Sequence, residues 1–173
     1  AYNSEVHATR DMGVGELNNC YEAAELADTI FAVGMNSLET QTNYFLNHWI
    51  PNLRGTSMDK KQKELPDEAH AQGRIVVVDP RRTVTIAACE AEAGKDNVLH
   101  LQIKSGTDLA LFNAIFTEIS DKGWIDKDFI AASTIASDAD GAPADGAHPA
   151  ALTDFKPAVD GNRMTPEQAA EIT

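Results

Sequence analysis

Four β-branched residues in succession run straight into a proline turn: Ile75-Val76-Val77-Val78, then Asp79-Pro80-Arg81. An unbroken apolar run of this kind is what a strand looks like when helices cover both of its faces, and central parallel strands are where such runs occur. The run therefore steers the chain toward an α/β architecture. In open parallel sheets the ligand lies against the carboxyl ends of the strands. The polar turn after Val78 is thus the first place to look for function.

Two further turns have the same character. Ile30-Phe31-Ala32-Val33 is a strand-like run closed by Gly34-Met35-Asn36, and a run from Val98 to Ile103 leads to Ser105-Gly106-Thr107-Asp108. Helical patterns alternate with these strands. Residues 16 to 27 carry one; a second starts at Thr42, with Phe45, Trp49 and Leu53 at i, i+4, i+8 and Leu46 and Ile50 beside them, its apolar stripe facing the sheet. Pro51 should bend or end that helix. The charged stretch from Gly55 to Gly73, with Pro66, reads as a surface excursion, and Thr83 to Ala88 as a short helix or turn. Thr107 is placed to cap a helix with Asp108 in its first turn and Leu109, Phe112, Phe116 and Ile119 on one face. Trp124 to Ile130 reads as a turn and a short amphipathic helix. The composition then shifts to Ala, Asp, Gly and Pro up to about His148, as in a flexible loop, and Thr165-Pro166-Glu167 starts a last helix. The expected fold is α/β, a Rossmann-like doubly wound, mostly parallel sheet.

With 173 residues, 43% of them hydrophobic, the chain can bury one core. A formal net charge of −13 repels a phosphate backbone and argues against a nucleic-acid partner. No apolar run approaches the roughly 20 residues of a transmembrane helix, so no direct membrane span is expected. Cys20 and Cys89 have no CxxC spacing. The chain starts without Met at Ala1 and stops at Thr173 on what reads as an unfinished helix, so we expect a segment of a longer protein.

Each turn carries chemistry. Gly34 allows close approach of backbone to a ligand, and Asn36 offers both a donor and an acceptor. Asp79 can accept from a purine edge or a ribose, Pro80 fixes the turn, and Arg81 can meet a phosphate as a bidentate cation. Gly106-Thr107-Asp108 opens a helix whose free N–H groups attract anions. Against these stand plain readings: an ordinary turn, a surface Asp–Arg pair worth little, and a capped helix without ligand. No Walker loop and no GxGxxG occurs, so a common NTPase or NAD site is not indicated. His48, His70, His100 and His148 form no metal pattern; His7 lies near Glu5, Arg10 and Asp11 in a polar stretch without periodicity.

Laid in order, these residues resemble the molybdopterin bis(guanine dinucleotide) oxidoreductases, the dimethyl sulfoxide reductase superfamily, and within it the arsenite oxidase large-subunit branch. The resemblance rests on residues 1–19, on Glu39-Thr40-Gln41-Thr42-Asn43-Tyr44-Phe45-Leu46-Asn47-His48-Trp49-Ile50-Pro51-Asn52-Leu53, and on Val78-Asp79-Pro80-Arg81. Gly106-Thr107-Asp108 with Leu111-Phe112-Asn113, and Gly123-Trp124-Ile125-Asp126-Lys127, add to it. It runs from residue 1 to about 133 and resumes near Phe155. It implies an internal piece of a larger multidomain chain: 1–20 an active-site loop and lead-in, 21–133 a segment of the guanine-dinucleotide-binding domain, 134–150 a flexible insertion, and 151–173 the start of a following helical segment.

The resemblance also implies roles. Gly34, Asn36, Glu39 and Thr40 in the first turn, Asp79, Pro80 and Arg81 in the second, and Gly106 and Asp108 in the third bind the guanosine and pyrophosphate of one pterin of a molybdenum bis(molybdopterin guanine dinucleotide) cofactor. Ala1 falls where relatives place the Ser, Cys or selenocysteine that ligates molybdenum, so no side chain of this segment is a metal ligand. Glu5 matches a glutamate at the floor of the substrate funnel, where arsenite undergoes a two-electron oxygen-atom transfer to arsenate. Electrons leave through an iron–sulfur cluster, whose ligands lie outside this segment, to a Rieske small subunit and then a cytochrome c or cupredoxin in the periplasm. Ser37 stands where relatives have Pro, and Val6 where they have Cys; the tract from Ser137 to Pro149 reads as an insertion. Two other readings compete: another superfamily member acting on arsenate, nitrate or formate, and a non-catalytic nucleotide-binding α/β module.

Overall fold

A computed structural model describes residues 20–133, 135–136, 148–149 and 159–173, which gather into two compact units divided between Gln102 and Ile103. Ala1, Glu5, Val6, His7 and the start of the helix expected over 16–27 lie outside the described residues, as do most of 134–158. In the first unit β1 (Thr29–Val33), β2 (Arg74–Val78) and β3 (Val98–Leu101) form a parallel sheet in that order. Ile30 pairs with Ile75 and Val33 with Val78; Ile75 pairs in turn with Val98 and Val78 with Leu101. Central placement explains the run that marked β2: Ile75, Val77 and Val78 are fully buried. The α/β expectation is met.

Ile30, Ala32, Ile75 and Val77 face α1 (Ala23–Leu26), α3 (residues 42–53) and α5 (Val84–Ala93) across a core completed by Ala24, Phe45, Trp49, Ile50, Leu53, Ile86, Cys89 and Ala93. Short α2 (Ser37–Thr40) follows β1. Helix α3 is built of Thr42–Tyr44, Phe45–Trp49 and Ile50–Leu53, and its middle stretch is a π turn in which the Ile50 N–H donates to Phe45 O. The expected stripe of Phe45, Trp49, Leu53 and Ile50 is buried, but Leu46 is exposed. The wide turn takes up one extra residue, so the stripe is re-phased and Leu46 swings outward. It also makes room for Pro51, whose ring would otherwise press on the carbonyl four residues back. The helix passes through Pro51 and stops at Leu53.

The stretch from 55 to 73 is not a bare surface excursion. It contains α4 (Met58–Glu64), and Lys61 there is 0% exposed. Its Nζ donates to Ala27 O and Ala71 O, both at 3.0 Å, and lies 3.5 Å from Asp28 Oδ1. Asn52 works beside it: Nδ2 donates to Ala24 O and Ala27 O at 2.7 Å, and its backbone oxygen accepts from Gly73 N. A Cβ on Gly73 would collide with the Asn52 carboxamide, which explains the glycine. The helix after the second turn is longer than expected, ten residues, and carries Cys89 inward; burial pushes that thiol up to about 12, so it packs and does not react.

Glu25 joins three helices, its Oε1 2.7 Å from His48 Nδ1 and 2.9 Å from Lys60 Nζ. Burial alone would raise the Glu25 carboxyl, but hydrogen bonds from Lys60 and His48 outweigh it and hold the group below its ordinary 4.5. A carboxyl held lower in the folded than in the unfolded chain contributes stability that is complete above the unfolded value and is lost as pH falls through the folded value. Glu25→Gln is therefore expected to be less stable than the parent at about pH 6, with the gap closing below about pH 4.5. Denaturant titrations across that range measure it; a gap that stays constant would refute the assignment.

In the second unit α6 (Asp108–Asp121) begins after Thr107, whose Oγ1 donates to Lys104 O at 2.7 Å and makes no side-chain cap. Its buried residues are Ala110, Ala114 and Thr117, whereas Leu109 is 70% exposed and Phe112 and Phe116 are exposed too. Small residues let helices approach closely, and this row packs near α8 (Pro166–Ile172), itself buried at Ala169. Met164 N donates to Thr117 Oγ1 at 3.1 Å, and Lys104 N to Thr173 O at 2.9 Å. Helix α8 starts as expected at Thr165-Pro166, within a capping box closed by Gln168. Helix α7 (Lys127–Ser133) matches the short amphipathic helix. Beyond it β4 (Ile135–Ala136) pairs antiparallel with β5 (His148–Pro149), so His148 is in a strand and not in a loop.

Candidate functional site

Two of the three turns leave the carboxyl ends of adjacent strands and are tied together. Gly34 closes β1 at φ +59, a conformation that disfavours side chains, and its N–H donates to Val78 O at 2.8 Å. That bond carries the parallel pairing one residue past the strand. On the neighbouring strand Asp79 is buried, and its Oδ1 accepts from Arg81 N at 2.8 Å across Pro80. This is a local side-chain turn of the kind Asp favours. His100 Nε2 donates to Asp79 O at 2.9 Å and Gln102 Nε2 to Pro80 O at 3.0 Å, which fix the turn from β3 and the residue after it.

Between the turns lies an open cavity of about 240 Å³, lined by Asn36, Glu39, Arg81, Arg82, Thr83 and Val84. Asn36, Glu39 and Arg81 are thereby brought together from the first and second turns. Gly34, Thr40, Asp79 and Pro80 stand behind them as framework: Thr40 Oγ1 donates to Asn36 O at 3.1 Å, beside the backbone N–H groups of Glu39 and Thr40. Gly106, at φ +83, and Asp108, in the first turn of α6, belong to the second unit.

Arg82, Thr83, Val84 and, just behind them, Thr85 were not anticipated as site residues. The sequence does hold a trace of them, two threonines spaced by one residue right after the Asp-Pro-Arg turn.

The charges are unevenly committed. Arg82 is drawn to Glu90, while Arg81 is exposed and has no carboxylate partner among the described residues. Asn36 Nδ2 donates to Glu39 Oε2. Thr83 is only 8% exposed, and its Oγ1 is buried without a hydrogen-bond partner among the described residues. An orphaned hydroxyl at a cavity wall costs free energy, on the order of 1–3 kcal/mol, until something bonds to it. A cation, a carboxylate, a carboxamide and a hydroxyl around one hollow suit a phosphorylated ligand with hydroxyl or base N–H groups. The volume is below the roughly 300–1,000 Å³ of pockets that enclose whole small ligands. One end of a larger ligand fits it better.

The histidines serve locally. His48 bonds to Glu25, His70 Nε2 donates to Leu65 O at 2.7 Å, and His100 holds the second turn.

Comparison with known proteins bears on what that ligand is. The model of the molybdopterin oxidoreductase family matches residues 5–172. The chain is 56% identical over 135 residues to arsenite oxidase subunit AioA of Herminiimonas arsenicoxydans, a match covering 78% of this chain and 16% of that protein. It is 34% identical over 118 residues to the F420-dependent formate dehydrogenase subunit alpha of Methanocaldococcus jannaschii, covering 68% of this chain and 14% of that one. With a nitrate reductase of Shewanella frigidimarina it shares 30% over 125 residues, 72% of this chain and 11% of the other. The chain spans between 11% and 16% of the length of these relatives.

Proposed function

Because the chain belongs to the molybdopterin oxidoreductase family, its residues 5–172 matching, we propose that it is a segment of an arsenite oxidase catalytic subunit that grips the guanine-nucleotide end of a molybdopterin cofactor. The observation that carries this reading is the cavity itself, where Arg81, the Asn36–Glu39 pair and the orphaned Thr83 hydroxyl meet at the ends of two adjacent parallel strands. The site in part fits such a group: its donors and acceptors suit a nucleotide, and its size suits one end of a long cofactor.

Each residue has a task. Arg81 neutralises phosphate charge, with its backbone N–H already committed to Asp79 and its guanidinium left for the ligand. Glu39 accepts from a ribose hydroxyl or a base N–H, and Asn36 supplies a donor beside it. Thr83 completes its hydrogen bonding on the ligand. In the third turn Gly106 and Asp108 take the pyrophosphate side by family analogy, and Gly34, Thr40, Asp79 and Pro80 hold the first two turns in shape. When bound, the cofactor supplies molybdenum-centred two-electron chemistry, here the conversion of arsenite to arsenate with water as the oxygen source. By family analogy Glu5 corresponds to a glutamate at the floor of the substrate funnel, and Ala1 to the position where relatives place a Ser, Cys or selenocysteine ligand to molybdenum. An iron–sulfur cluster whose ligands lie outside this segment would take up the electrons, and a Rieske small subunit and a periplasmic cytochrome c or cupredoxin would carry them onward.

The test uses the full-length protein. Molybdenum, pterin and acid-released guanine nucleotide are expected together, with arsenite-dependent reduction of an artificial electron acceptor; absence of the nucleotide, or indifference to arsenite, would overturn the corresponding part. The similarity to formate dehydrogenase and nitrate reductase supports a second reading, a different substrate at the same kind of cofactor. X-ray absorption at molybdenum separates the two, since a protein Ser, Cys or Se ligand contradicts the role given to Ala1.

A further inference from the structure

We propose that Thr85 is a positioning residue: its buried hydroxyl fixes which end of the Asn36 carboxamide faces the cavity, and so sets the donor offered to a nucleotide. The proposal rests on the reading of the cavity as a nucleotide site. Thr85 is fully buried on α5 and does not line the cavity, yet it reaches across to the other wall. Its Oγ1 accepts from Leu38 N at 3.0 Å and donates to Asn36 Oδ1 at 2.7 Å. Asn36 Nδ2 donates to Glu39 Oε2, and a carboxylate can only accept. With Leu38 N donating to it, the Thr85 hydroxyl gives its one proton to the amide oxygen, and acceptor-only Glu39 takes the nitrogen: oxygen toward Thr85, nitrogen toward Glu39. One N–H of Nδ2 is used on Glu39, and the other remains for a ligand acceptor.

Without the Thr85 hydroxyl the amide loses its anchor. Held by the Glu39 contact alone, the carboxamide can rotate away from the wall and withdraw its second N–H from the cavity. Leu38 N, at the start of α2, would lose its partner as well. Thr85 thus ties the helix after the second turn to the residue that ends the first, two parts of the chain 49 residues apart.

Guanine nucleotide released by acid from the purified full-length protein, per polypeptide, is the readout. Thr85→Val keeps the shape and deletes the hydroxyl, and nucleotide content is expected to fall about tenfold, the size of one lost hydrogen bond to a buried partner. Thr85→Ser is expected to restore it. Asn36→Ala should lose as much as Thr85→Val, and the double variant no more than Asn36→Ala alone, because both remove the same donor. Should Thr85→Val fail to accumulate, Thr85→Cys takes its place with a weaker donor and an intermediate loss. Full nucleotide content in Thr85→Val, no rescue by Ser, or losses that multiply in the double variant would overturn the proposal. If Asn36→Ala keeps its nucleotide, the cavity reading falls with it; if Asn36→Ala loses nucleotide and Thr85→Val does not, only the positioning role falls.

Discussion

Replacing Asp79 with alanine is expected to strip the full-length protein of most of its guanine nucleotide, on the order of tenfold or more, while leaving the sheet intact. Asp79 is buried at the end of the central strand, and its Oδ1 accepts from Arg81 N. A hydrogen bond to a charged group is worth about 1.5–3 kcal/mol, and its loss frees the turn that aims Arg81 into the cavity. The sheet bonds on either side are made by backbone atoms, Asp79 N to Leu101 O and Gly34 N to Val78 O, and do not need the carboxylate. Asp79→Asn separates the two contributions, since its amide oxygen can still accept from Arg81 N but carries no charge. Asparagine should keep the turn and recover part of the nucleotide. An Asp79→Ala protein with its full complement of guanine nucleotide would mean that the second turn does not hold the cofactor.

Lys61→Met should cost several kcal/mol of stability, about 2–5, with no direct effect on the cavity. Methionine keeps the volume of the buried stem and removes the ammonium. Ala27 O and Ala71 O, both bonded to Nζ at 3.0 Å, would each lose that donor. These carbonyls sit just before β1 and β2, so the loss falls where the two strands enter the sheet. Lys60 is the control: its Nζ bonds to Glu25, but its side chain is one-third exposed, and Lys60→Met should cost less than about 1 kcal/mol. Hydrogen exchange of the amides of Ile30 and Ile75 in the full-length protein measures both. Equal protection in the two variants would show that burial of Lys61 contributes nothing.

What could be read from the sequence follows a physical division. Strands β1 and β2 declare themselves because β-branched runs bounded by turn residues have few alternatives, and the burial of Phe45, Trp49 and Leu53 follows from their spacing. Helix α4 was hidden because charge in a sequence reads as solvent exposure, whereas Lys61 uses its charge on backbone carbonyls in the interior. The apolar face of α6 was legible from its spacing, but which face packs was not. Hydrophobicity favours Leu109, Phe112 and Phe116, but closeness of packing favours Ala110, Ala114 and Thr117. The turns that frame the cavity were legible as Gly34 to Asn36 and Asp79 to Arg81. Thr83 and Thr85 were not, because their significance depends on a neighbour across the sheet that no local pattern reveals.

The bond from Gly34 N to Val78 O has a mechanical consequence. Both turns are extensions of one parallel ladder, so neither can shift without breaking pairings in the sheet beneath it. The backbone of both turns is therefore as stiff as the sheet and is set before any ligand arrives, with the Arg81 guanidinium left to settle on the ligand. Ordering of this kind is settled during folding, so a nucleotide arriving there meets a small entropic penalty and a lock already cut.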